Sequence, residues 1–90
     1  MDWLRKDIEE EVYDTLILDY HDVQVEVDDY AINIIHNEIT KILSNNKLIE
    51  KLIQLKNSNE LEYYLAISDL ANSICKKIIL YNIVKILSKL

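Results

Sequence analysis

Two histidines and a run of carboxylates are the residues here whose types could do chemistry. Asp19, His21, Asp22, Glu26, Asp28 and Asp29 fall within eleven positions, and His36 follows one or two helical turns later. Carboxylates and imidazole can ligate a divalent metal or pass protons as general acid and base. The spacing supports neither. An EF-hand loop needs glycine at its sharp turn, and the chain contains no glycine. The Glu-x-x-His of di-iron bundles is absent, as is His-Glu-x-x-His. The segment reads as a solvated acidic connector, with no metal and no other cofactor expected. His36 has Ile32, Ile35 and Ile39 beside it at helical spacing. It reads as a boundary histidine satisfied by its neighbours, with a pH-responsive contact as the sharper alternative.

Nucleophilic chemistry finds little footing. Ser44, Ser58, Ser68, Ser73 and Ser88 all lack a Gly-x-Ser-x-Gly setting, and a phosphate-cradling loop needs the missing glycines. Cys75 is the only cysteine, so no intramolecular disulfide is possible. Between Ile74 and Lys76-Lys77 it reads as a small buried apolar residue; a thiol activated by the lysines is the alternative. No enzymatic activity is expected.

Charge is sorted along the chain. Residues 1–39 hold twelve acids against Arg5 and Lys6, whereas residues 40–90 hold eight lysines against four acids. The net charge is −6 and the isoelectric point about 4.7. Such a dipole favours head-to-tail contact between the two halves, within one chain or between two copies. A basic nucleic-acid-binding surface is not the first expectation: the single arginine sits in the acidic half.

The elements that must carry these residues are helical. Glycine and proline are both absent, which removes the usual hairpin turns, while eight asparagines are available to end helices in the left-handed conformation. Leu4, Ile8, Val12 and Leu16 recur at spacing four and predict a helix over 3–19, with Asp2 able to cap it. Val23-Gln24-Val25-Glu26-Val27 alternates like a strand. No second alternating stretch exists to pair with it, so it reads as an extended connector, with pairing to another copy or a partner's sheet edge as the alternative. Asp28 predicts an N-cap, with Val27 and Ile32 placed for a hydrophobic staple. Ile32, Ile35, Ile39 and Ile42 then mark a buried face. Ser44-Asn45-Asn46 closes that helix, a shorter one covers 47–56, and Asn59 with Glu62 resembles a capping box.

The last helix is predicted from Glu60 nearly to Lys89, along a stripe of Tyr63, Ile67, Leu70, Ile74, Ile78, Tyr81 and Val84. Beyond Lys77 it is apolar on almost every side, and such a helix must be covered on every side. Ninety residues cannot bury it alone, so self-association through Ile79, Leu80, Ile83, Ile86 and Leu87 is expected. The N-terminus lacks a signal-peptide pattern, and the longest apolar run, 78–81, is far short of a membrane span, which points to a cytoplasmic chain.

The reading is therefore an all-α small helical bundle of three to four helices with short connections, dimerising through the C-terminal helix. It is one domain, residues 1–90, with an acidic helix and linker over 1–29 and a helical core over 30–90. The acidic surface (Asp7, Glu10, Glu11, Asp14, Asp19, Asp22, Glu26) would meet a protein partner with a basic surface, in the narrower form of this reading by imitating nucleic acid. Abundant Ile, Asn, Lys and Tyr match AT-rich codons, and point to a virus-, phage- or plasmid-encoded inhibitor or adaptor. The alternative is a nucleic-acid-binding regulatory dimer gripping phosphate through Lys47, Lys51, Lys56, Lys76, Lys77, Lys85 and Lys89, with steep salt dependence. Membrane binding by the last helix is less favoured than its burial in the bundle or dimer, because its polar face is poor.

Overall fold

The computed structural model describes residues 2–19 and 27–90. Four helices follow in order: α1 (Asp2–Asp19), α2 (Asp29–Leu43), α3 (Asn46–Ser58) and α4 (Glu60–Leu87). The protein is an all-α small helical bundle. The 28 residues of α4 rise about 42 Å at 1.5 Å each, most of the 50 Å long axis. α4 packs against each of the other three helices.

Specific contacts set the directions. Trp3 stacks near Tyr63, and the Cys75 thiol donates to the Val12 carbonyl, so α1 and α4 run parallel. Asp28 meets Tyr81 and Lys85 while Glu38 meets Lys77, so α2 runs antiparallel to α4. α3 returns to the other end, placing Lys56 beside Asp7, Trp3 and Tyr63. Thus α2 lies toward the C-terminal half of α4 and α3 toward its start.

The four-residue repeat of α1 is fully legible in the packing: Leu4, Ile8, Val12 and Leu16 are all buried. On α2 the buried face is Ala31, Ile35 and Ile39. Ile42 is half-buried and Ile32 remains exposed, as does Val27. α3 contributes Leu52, and α4 contributes Tyr63, Ile67, Ala71, Ile74, Cys75, Ile78 and Asn82. The face of α4 is therefore turned from the expected stripe: Leu70 and Tyr81 sit at its margin and Val84 faces solvent. Small Ala71 and Cys75 let neighbouring helices approach where larger side chains would hold them apart. Asn82 is tolerated because its amide donates to the Ile78 carbonyl at 3.0 Å.

The helix ends correct one expectation. No described residue has positive φ, so no asparagine ends a helix in the left-handed conformation. Asparagine acts at starts instead: Asn45 Oδ1 accepts from the Leu48 N–H and Asn59 Oδ1 from the Glu62 N–H. Asn59 is also the last cap of α3, its own N–H donating to the Leu55 carbonyl at 2.7 Å. That bond occupies the donor which Glu62 would engage in a capping box. α2 ends without a left-handed residue because its last carbonyls are met by tightened bonds from Ser44 and Asn45. The alternating stretch at 23–27 lies outside the described residues except for Val27.

Candidate interaction surfaces

Acids of the first half and lysines of the second meet inside the bundle's own architecture. Asp7 Oδ2 accepts from the Tyr63 hydroxyl at 2.6 Å and from Lys56 Nζ at 3.2 Å. The same ammonium lies 4.6 Å from the Trp3 ring centroid and 4.8 Å from that of Tyr63, a cation held against two aromatic faces. This knot ties α1, α3 and α4. Burial, reinforced by the Asp7 hydrogen bond, pushes the Tyr63 hydroxyl well above the usual phenol range.

A second knot sits at the other end. Asp28 Oδ1 caps α2 by accepting from the Ala31 N–H at 2.9 Å, while Oδ2 accepts from the Tyr81 hydroxyl at 2.8 Å and Lys85 at 3.3 Å. The Ala31 N–H, then Tyr81 and Lys85, hold its carboxyl below the ordinary value. The hydrogen bond to Asp28 raises Tyr81 in turn. Between the knots, Glu38 takes Lys77 at 2.7 Å and Lys41 at 3.2 Å, and Lys77 above all lowers its carboxyl.

The sequence-predicted acids that are described divide between the first knot and the surface of α1. Asp7 belongs to the first knot, because its position turns it toward Tyr63 rather than outward. Glu10 and Asp14 are exposed on α1, Glu10 with Lys6 at 3.9 Å, and Glu11 is half-buried. Exposed Tyr13 and Ile17 lie among them. Asp19 ends α1; its side chain, like Asp22, Glu26 and His21, lies outside the described residues. His36 is exposed and accepts at Nδ1 from the Arg5 guanidinium at 3.4 Å, while the same guanidinium donates to Thr40 Oγ1 at 3.0 Å. Cys75 is fully buried. Among the described residues no three His, Cys, Asp or Glu side chains gather in a way that could hold a metal, and no helix is long and apolar enough to cross a membrane.

The outer side of α4 is the other surface. Leu80 is 62% exposed, Ile83 46%, Val84 56% and Leu87 60%, at i, i+3, i+4 and i+7 opposite the buried face. Ile86 is exposed as well and Ile79 half-buried on the flank. Leu61 and Leu65 extend the apolar surface toward the start of α4; sequence reasoning missed both, although their i, i+4 spacing was visible. The chain matches no known protein family, no curated protein and no solved structure. These surfaces are what a functional reading has to rest on.

Proposed function

We propose that the chain is a small protein–protein interaction module. It pairs with a second copy through the outer face of α4 and offers the acidic face of α1 to a basic, partly apolar surface on a macromolecular partner. The exposed α4 stripe carries this reading. Leu80, Ile83, Val84 and Leu87 leave on the order of 400 Å² in solvent, about the size of the largest patch on a typical monomer, where such patches often mark function. On α1, Glu10 and Asp14 alternate with Tyr13 and Ile17, a mixture suited to a protein surface. A nucleic-acid mimic is the narrower form of the same reading. The codon-biased composition supports an origin in a virus, phage or plasmid, and an inhibitor or adaptor acting in the cytoplasm is the form the proposal takes. No catalytic role is included.

The lysine-grip alternative is weaker, since Lys56, Lys77 and Lys85 are already engaged by Asp7, Glu38 and Asp28. The test is capture from a lysate of the source cells at low and high salt, with nuclease treatment in parallel. A protein that survives nuclease, leaves at high salt and is lost with Glu10→Lys/Asp14→Lys supports the proposal. Recovery that vanishes with nuclease and with Lys47→Glu/Lys51→Glu would move the function to nucleic acid.

A further inference from the structure

We propose that α4 pairs antiparallel with α4 of a second copy, about a two-fold axis passing between Asn72 and Ser73. This rests on the self-association reading above and adds its register and direction. Three pairs of exposed positions on the outer face of α4 are symmetric about that point in spacing, and the members of each pair are complementary in chemistry. Three positions out stand Asp69 and Lys76, seven out Leu65 and Leu80, eleven out Leu61 and Val84. All six are exposed, and their four-residue spacing keeps them on the side of the helix opposite Ile67, Ala71, Ile74 and Ile78.

A two-fold interface is self-complementary, so that where residue i of one copy meets residue j of the other, j of the first meets i of the second. Antiparallel pairing about this axis sets Asp69 against the Lys76 of the other copy, twice. It sets Leu65 against Leu80 and Leu61 against Val84, also twice. Parallel pairing of the same faces would instead oppose Lys76 to Lys76 and Asp69 to Asp69. Neither residue forms an ion pair within its own chain among the described residues, so both are available. A polar pair between apolar layers is a known means of fixing register and direction. Leu61, Leu65, Leu80 and Val84 leave on the order of 400 Å² per copy in solvent, and exposed Asp69, Lys76 and Ser73 add polar surface toward the ~800 Å² per partner of a standard interface.

The test combines mass in solution with cross-linking. Leu65→Cys and Leu80→Cys are made separately, with buried Cys75 left in place, then mixed and oxidised mildly with oxidised glutathione. A disulfide-linked dimer from the mixture, and from neither variant alone, is the expected result. Asp69→Lys and Lys76→Asp should each weaken the dimer about tenfold, and the double variant should restore it. A dimer that Leu80→Cys links by itself, or that ignores the charge reversals, overturns this register and leaves self-association standing. A chain that stays monomeric at millimolar concentration overturns both.

Discussion

Single side chains hold the helices in place at two points, and each makes a separable prediction. Tyr63→Phe keeps the buried ring and removes the donor to Asp7. It should cost roughly 1.5–3 kcal/mol in denaturant unfolding, the range for a hydrogen bond to a charged group. Asp28 and Glu38 bind protons less readily in the folded chain than their ordinary values of 3.8 and 4.5. A depressed carboxyl stabilises the fold above its unfolded value and loses that contribution as pH falls through the folded one. The urea midpoint should therefore fall between about pH 5 and about pH 3. Asp28→Asn keeps an N-cap oxygen for Ala31 but cannot titrate, so its midpoint should start lower at neutral pH and fall less on acidification. An acid limb identical to that of the parent protein would show that Asp28 is not part of it.

At the scale of elements, most of what forms the helices was visible in the residues. The α1 repeat buries as spaced, Asp28 caps α2, and the breaks expected at 44–46 and 57–59 narrow to residues 44–45 and Asn59, since α3 takes in Asn46, Asn57 and Ser58. Asn59 shows where local reasoning stops. The Asn59–Glu62 spacing announced a reciprocal box, but a one-residue connection gives Asn59 two helices to serve, and its N–H goes to α3. Asn59→Ala should destabilise by about 1 kcal/mol, while Asn59→Asp, which keeps the cap and sets an anion at both the start of α4 and the end of α3 with opposing dipole effects, should be close to neutral. Thermal unfolding followed by circular dichroism checks the order. Equal loss in both variants would mean that the side-chain cap contributes nothing.

For the molecule as a whole, the sorted charge is realised partly inside one chain, through Lys56 with Asp7, Lys77 with Glu38 and Lys85 with Asp28. These pairs orient the helices, and they remove Asp7 from the acidic surface that the sequence outlined. Leu80 and Ile83 stand outside the core, so replacing both with Lys should leave helicity and monomer fold intact. The mass by light scattering should drop to one chain, 10.6 kDa. Loss of helical signal in the same variant would instead make that face part of the monomer's core.

The residues alone determined that the chain is helical, where most helices begin, and which side of α1 is buried. Those features follow from i, i+4 spacing and from side chains that reach only their own backbone. On α4, Tyr63, Ile67, Ile74 and Ile78 bury as their spacing predicts, and tertiary structure decided which side is buried beyond Lys77. A helix apolar almost all round carries no preferred face of its own, so its rotation follows the helices packed on it. They took Ala71, Cys75 and Asn82 inward and left Leu80, Ile83 and Val84 in solvent. The candidate interface is therefore written in residues the sequence displayed, on a side that only packing could choose.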